Sequence, residues 1–410
     1  MNFLQIFITF HEKNFRLIWL SSIFSGFAQQ MEAVVLAWYV LTLTDSPLLV
    51  GFVTTSRQAA TLFGAFTGAI ADRLSRRGIV ISAQGFMASL AFVMTLLVLS
   101  ENVQTWHIFV ATAMTGLARI FDMPARQALV ADSVPVEKVS NAVALNNSGR
   151  NLMQIAAPVT GGILFSIVGP AGSYLVLGFV YIASAISITF IRIKSSSPIG
   201  YTNSFWTTLV QGINYVRNNK TLLAALLMAA VANLTAFPFN YALMPVYARE
   251  TLNSGSSGLG LLLSGIGSGA FIGSIVVASM RSIENAGRIG IIALIGWHIM
   301  TTIVILSPIF ELSFGLIMIA GIMQSMSLVL VASILLGIAV PDFRGRVMGL
   351  RSLAVYTLPI GSLITGALIT QVGLIQAAVI NTVLGGILIA GIVLLIPTII
   401  QKQRILIAQE

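Results

Sequence analysis

Two carboxylates, Glu32 and Asp122, and four arginines, Arg57, Arg119, Arg150 and Arg351, stand inside long apolar runs of this 410-residue chain. A charge at the centre of a bilayer costs about 2.5–3.5 kcal/mol even on the lenient insertion scale, so such groups line pathways or are paired. The chemistry open to them is proton exchange and ion pairing. Glu32 is the first candidate for a proton site. It lies ten residues from the expected outer end of its run at 42, and Arg57 lies ten from the expected outer start of the next at 47. At about 1.5 Å per residue both sit roughly 15 Å below the surface. An ion pair between them is feasible, either titrating, with Arg57 tuning Glu32, or static and fixing helix packing. Asp122 is the second proton candidate, although its place near an inner end, between Arg119 and Arg126, points to a gate network.

Further polar residues recur three or four apart, so each set lines one helix face. The first run carries Ser22, Ser25, Gln29 and Glu32; the fourth carries Thr112, Thr115, Arg119, Asp122 and Arg126; the fifth carries Asn147, Arg150 and Gln154. The seventh offers Asn233, Phe237, Asn240 and Tyr241, the tenth Met323, Gln324, Met326 and Ser327, and the eleventh Tyr356. From these, Gln29, Arg57, Arg119, Asn147, Arg150, Asn233, Phe237, Tyr241, Gln324 and Tyr356 are expected to line a substrate cavity. Arg119 and Arg150, read as unpaired, would attract an anionic cargo, and Met, Phe and Tyr suit a large, partly aromatic one. His298 reads as a hydrogen-bonded packing residue.

The elements that must hold these residues are membrane helices. Hydrophobic residues make up 57% of the chain and charged ones 9%, with a mean hydropathy of +0.94; soluble domains carry about a quarter charged residues. A spanning helix needs about 20 mostly apolar residues. Twelve such spans are expected, at 15–42, 47–71, 78–100, 106–126, 139–168, 171–192, 221–247, 257–280, 288–308, 312–336, 346–370 and 374–399. The N-terminus reads as a short cytoplasmic lead-in to a retained helix. If both termini lie inside, the outer loops hold one basic residue, Arg249, four lie within spans, and the other 17 of 22 fall on the inner side. The positive-inside rule thus fixes the orientation and accounts for the net charge of +9 without a nucleic-acid partner. There is no cysteine, and His11, His107 and His298 form no ligand cluster, so no metal or cofactor is expected.

The chain repeats itself. Gly51 and Arg73 correspond to Gly260 and Arg281 at a shift of 208–209 residues (281 − 73 and 260 − 51), and Gly64 to Gly273. Asn-Ala-Val-Ala-Leu145 through Gly162 and Gly169 answer Arg-Val-Met-Gly-Leu350 through Gly366 and Gly373, at 204–205 (366 − 162 and 350 − 145). The expected fold is therefore all-α and polytopic, in two pseudo-symmetric halves: a six-helix bundle over 1–192, a cytoplasmic linker over 193–220 and a second bundle over 221–410. The linker opens on Ser195-Ser-Ser-Pro198. It continues with Phe205, Trp206, Leu209, Val210, Ile213 and Val216 at helical spacing, an amphipathic segment suited to the inner membrane surface.

Between spans two and three lies Gly68-Ala-Ile-Ala-Asp72-Arg73-Leu-Ser-Arg76-Arg77. It resembles the loop Gly-x-x-x-Asp-Arg/Lys-x-x-Arg-Arg/Lys of the major facilitator superfamily, with Ser75 where a glycine is usual; the second-half copy (Ala278-Ser-Met-Arg281) lacks the Asp. Asp122-Met-Pro124-Ala-Arg126-Gln127-Ala-Leu-Val-Ala-Asp132-Ser-Val-Pro135, followed by Ala157-Pro158-Val-Thr-Gly161-Gly162, is similar to the enterobactin-exporter and macrolide-efflux branch. The last string resembles the antiporter motif Gly-Pro-x-x-Gly-Gly, with Ala157 for the first glycine. The resemblance implies twelve helices around a cavity lined by spans one, four, seven and ten. It also implies a closing role for Gly68, Asp72, Arg73, Arg76 and Arg77, and a leak-preventing or packing role for Pro158, Gly161 and Gly162.

No phosphate loop, nucleophile elbow or HExxH motif points to an enzyme. The leading expectation is a monomeric, proton-coupled exporter of siderophore-like or other amphiphilic molecules, in a bacterial-type inner membrane. The alternatives are an importer or uniporter of a small solute, and a non-transporting scaffold or sensor.

Overall fold

In a computed structural model, residues 8–59, 75–192, 205–280, 282–401 and 405–406 are described. The first half supplies α1 (Lys13–Thr44), α2 (Pro47–Ala59), α3 (Arg76–Leu99), α4 (Thr105–Asp132), α5 (139–168) and α6 (170–189). A short α7 (Phe205–Asn218) follows. The second half supplies α8 (Lys220–Glu250), α9 (Gly255–Ala278), α10 (Ala286–Leu306), α11 (Phe310–Ile338), α12 (Pro341–Val372) and α13 (Leu374–Leu395). Two-residue strands, β1 (Ser282–Ile283) and β2 (Ile405–Leu406), pair antiparallel.

Nine stretches among the described residues are long and apolar enough to cross a membrane. One of them, Val136–Thr189, contains both α5 and α6. Together with α1 and the described part of α2, this makes twelve helices in the two halves. At 32 residues α1 is amply long, but Gln29, Gln30 and Glu32 dilute its apolarity. The boundaries follow local chemistry. Pro47 opens α2 because its missing N–H is one of the four that a helix start leaves unpaired anyway. Ser75 caps α3, its Oγ accepting from the Gly78 N–H at 3.1 Å. Gly169 (φ 67°) and Gly373 (φ 89°) turn the chain between α5 and α6 and between α12 and α13. These are two copies of one repeat position, and both use backbone that a side chain would strain.

The described chain forms two compact units. Unit 1 comprises Met1–Thr44, Ser56–Gly200 and Gly255–Ser264; unit 2 comprises Asp45–Thr55, Tyr201–Ser254 and Gly265–Glu410. One end of unit 1 is a cluster of Phe15, Ile18, Val80, Leu129, Ala142 and Ile188, all buried. A core cluster of unit 2 centres on Trp297, Met228, Leu330, Ile334 and Val347. Many outward side chains are also apolar, such as Leu96 (66% exposed), Phe179 (60%) and Leu394 (80%), as hydrocarbon surroundings require.

Small residues set the helix contacts in each unit. In unit 1, a Cβ on Gly162 would collide with the Ser256 carbonyl, and one on Gly260 with the Pro158 carbonyl. Ser256 Oγ also donates to the Gly162 carbonyl at 3.0 Å. In unit 2, a Cβ on Gly51 would collide with the Ser362 carbonyl and one on Gly366 with the Pro47 carbonyl. The repeat pairs Gly51 with Gly260 and Gly162 with Gly366, so one close-packed crossing is built twice.

Four helices among the described residues are irregular. Pro124 sits within α4 and Pro158 within α5. Two π-type turns, 232–236 and 239–243, flank Pro238 in α8, where the Phe237 N–H reaches the Ala232 carbonyl at 2.9 Å. A turn at 355–356 interrupts α12. There the Thr357 hydroxyl donates to the Ala230 carbonyl at 2.9 Å, and Gly361 lies against the Leu234 carbonyl. The α7 helix packs within unit 2: Tyr215 stacks on Phe343 at 4.2 Å, and its hydroxyl accepts from the Val340 N–H at 3.2 Å.

Candidate functional site

Unit 1 gathers its charges into two linked nodes. At the first, Glu32 on α1 is 7% exposed and its Oε2 accepts from Arg119 Nη2 on α4. The Tyr181 hydroxyl, on α6, donates to the same oxygen at 3.2 Å and accepts from Arg119 Nη2 at 3.2 Å. Three helices are thus tied at one carboxylate oxygen. The cation on Glu32 is Arg119, in the place that sequence spacing had offered to Arg57. Arg57 instead donates Nη2 to the Gln29 carbonyl at 3.2 Å. Because Arg119 comes from α4, no separation measured along α1 and α2 could have indicated it. Arg119 is accordingly not an unpaired cation.

The second node lies three residues further along α4, about 4.5 Å of helix rise. Asp122 accepts a two-pronged contact from Arg126, Nε to Oδ2 at 3.1 Å and Nη2 to Oδ1 at 2.9 Å. Gln84 on α3 adds Nε2 to Oδ1 at 3.0 Å and also donates to Ser25 Oγ at 3.1 Å. Arg126 Nη1 donates to Ser21 Oγ at 2.7 Å, and Ser21 and Ser184 exchange hydroxyl contacts between α1 and α6. Asp122, Arg126, Gln84, Ser21 and Ser184 are all at most 6% exposed. Such a pair is saturated on both sides, which is what makes burial of two charges tolerable.

A cavity of about 40 Å³ opens beside this node, lined by Ser22, Gln29, Arg119, Asp122, Arg126 and Arg150 among others. A smaller space, about 10 Å³, is lined by Glu32 with Met87, Met94, Thr115, Tyr174 and Tyr181. Arg119 lines the larger, polar cavity and Glu32 the smaller, largely apolar one. Asn147, Asn151 and Gln154 are exposed along α5; polar groups exposed on a spanning helix face water or protein rather than lipid.

The candidates on unit 2 sit in a different setting. Asn233 donates to the Ala229 carbonyl at 2.8 Å within its own helix. Phe237 packs edge-on against Trp297 at 5.0 Å. Gln324 is buried with Oε1 unpaired among the described residues. Tyr241 and Tyr356 are half-buried, Tyr356 at the break in α12. His298 packs as expected: Nδ1 meets the Leu294 carbonyl at 2.8 Å and Nε2 the Thr235 hydroxyl at 2.8 Å.

Of the loop motif, Gly68, Asp72 and Arg73 lie outside the described residues. Arg76 pairs with Asp132 at 2.5 Å, joining α3 to the end of α4, and Arg77 donates to the Thr189 carbonyl at 2.6 Å. Pro158 and Gly162 pack on α9, and a Cβ on Gly161 would lie 3.0 Å from Met31 Cγ. Sequence reasoning missed Gln84, Tyr181 and Ser184. Their signal was present, since Gln84 interrupts an apolar run and Tyr181 and Ser184 share a face at spacing three.

The sequence matches the transmembrane secretion effector family over residues 5–410. The chain belongs to this family, a branch of the major facilitator superfamily. Macrolide efflux protein A of Streptococcus pyogenes is 24% identical over 223 residues, 53% of this chain and 54% of that protein; the match thus spans about half the length of that relative. The protein of the same name from Enterococcus faecalis is 23% identical over 69% of this chain and 84% of its own length. The multi-drug resistance efflux pump PmrA of Streptococcus pneumoniae is 24% identical over 68% of this chain and 67% of its own. Among solved structures, a bacterial homologue of the lysosomal transporter Spinster matches with TM-score 0.71 at 16% identity, over 94% of this chain and 97% of that one. A bacterial homologue of the iron transporter ferroportin matches with TM-score 0.69 at 16% identity, over 96% and 99%. This secretion-effector chain is thus a multi-pass membrane protein with the twelve-helix major facilitator fold.

Proposed function

We propose that this chain is a proton-coupled exporter of amphiphilic small molecules, siderophore-like acids and drugs included, working as a monomer by alternating access with both termini in the cytoplasm. The observation that carries the reading is the Glu32 node. One buried carboxylate oxygen holds α1, α4 and α6 together through Arg119 and Tyr181. Protonating Glu32 removes the charge that Arg119 neutralises and weakens the tie between all three helices at once. A proton can therefore alter packing, which is the minimum that coupling requires. The efflux relatives in Streptococcus and Enterococcus support export as the direction, and the excess of basic residues at the inner ends supports the orientation.

The Asp122–Arg126 pair has a different part in this reading. It is saturated and deeply buried, so it braces α4 while the Glu32 contacts rearrange. The Arg76–Asp132 contact serves as an end latch between α3 and α4.

The test uses energised inside-out vesicles containing the protein, with luminal acidity followed as macrolides, dyes and siderophores are added in turn. Cargo-dependent loss of the proton gradient, absent from vesicles without the protein, is the expected result. No response to any compound by folded protein overturns the reading.

A further inference from the structure

The cavity beside Asp122 has an imbalance of charge that the proton node does not use. Arg119 is neutralised by Glu32, and Arg126 by Asp122. Arg150, half-buried on α5, lines the same cavity, and among the described residues it has no hydrogen-bond or ion-pair partner. The charges acting on it are Arg126 and Arg119, which repel it, and Asp122, whose two oxygens are already taken by Arg126 and Gln84. One positive charge is left over. A second, independent feature faces the same space: Ser22 is 1% exposed, and its Oγ has no partner among the described residues. A buried hydroxyl without a partner is costly, and a partly desolvated guanidinium without an anion more so. Both costs vanish if a compact oxyanion enters.

We infer that Arg150 and Ser22 form an anion subsite that takes the carboxylate of an amphiphilic cargo, with Gln29 at its edge. This deepens the export reading and rests on it for the word cargo. The planar fork of Arg150 suits a planar carboxylate bidentately, and the Ser22 hydroxyl can donate to it. The space of about 40 Å³ is room for roughly three waters, about the size of a carboxylate. The remainder of the cargo would extend along the exposed polar face of Asn147, Asn151 and Gln154. The subsite selects for acids, so basic amphiphiles, repelled by the surplus charge, are the poorer ligands here.

The experiment compares pyrenebutanoic acid with its primary amide, binding each to the full-length protein in detergent by fluorescence titration. The wild type is expected to bind the acid at least tenfold more tightly than the amide. Arg150→Gln is expected to cut that preference below threefold, and its thermal melting in detergent reports that the variant is folded. Arg150→Lys should keep part of the preference, as a point charge without the fork. Ser22→Ala, which removes no charge, should weaken the acid two- to fivefold and serves if Arg150→Gln does not fold. Equal binding of acid and amide by the wild type, absence of binding of either, or a preference that survives Arg150→Gln overturns the subsite. Proton-gradient dissipation in proteoliposomes separates this from the export reading. A preference without flux leaves the subsite standing and removes export; flux without a preference does the reverse.

Discussion

The two units share a scaffold and differ in what they bury. Both have the glycine crossing, Gly162 with Gly260 in unit 1 and Gly51 with Gly366 in unit 2, and both turn on a left-handed glycine, Gly169 and Gly373. Yet every buried Asp, Glu or Arg among the described residues, namely Glu32, Asp122 and Arg126, belongs to unit 1. Unit 2 buries neutral polar groups instead, in pairs such as Thr235 with His298 at 2.8 Å and Asn381 with Thr365 at 2.9 Å. Its adaptations are in the backbone: two π turns in α8 and a break in α12. The repeat thus specifies architecture, whereas the buried ion pairs among the described residues stand in one copy only. Backbone irregularity supplies local adjustability without the desolvation that ions demand.

Breaking the charged side should have the largest effect. Arg126→Leu leaves Asp122 buried and held by Gln84 alone, and is expected to destabilise by about 3–5 kcal/mol. The loss of folded protein on size exclusion after heating measures it, and Asp122→Asn in the same chain should recover much of it. The shared scaffold should respond alike in both units. Gly260→Ala and Gly51→Ala each press a methyl on a backbone carbonyl and should cost about 1–3 kcal/mol by thermal melting in detergent. Unequal costs, with one substitution neutral, would break the claim that the crossing is built twice. The neutral side should be the most tolerant. Gln324→Met removes an acceptor that has no partner among the described residues and should change stability by no more than about 1 kcal/mol, with gradient-driven flux within twofold of wild type. A large loss of flux would move Gln324 into the coupling machinery and erase the contrast.

The fold was largely legible because its signals are one-dimensional. Apolar length gave the spans, and a shift of about half the chain gave the repeat. Gly-Pro at 169–170 and Val-Gly at 372–373 gave the turns. The site was legible only in part. Glu32, Arg119, Asp122 and Arg150 declared themselves by the cost of charge in apolar runs. Their pairing did not, since Arg119 and Glu32 are 87 residues apart and depth along a helix says nothing about which neighbour it faces. Gln84, Tyr181 and Ser184 also stand out in apolar runs, but their partners could not be read, because a single uncharged polar residue in an apolar helix usually bonds to its own backbone. Thr112 does just that, its hydroxyl donating to the Ile108 carbonyl at 2.7 Å.

The most direct test of the account is Glu32→Gln in proteoliposomes, with an established cargo followed in two modes: uptake driven by a pH gradient, and exchange at equilibrium without one. Glutamine keeps the contacts to Tyr181 and Arg119 but carries no exchangeable proton. Gradient-driven uptake should fall at least tenfold while exchange persists. Gradient-driven uptake at the wild-type rate would contradict the assignment of proton coupling to Glu32.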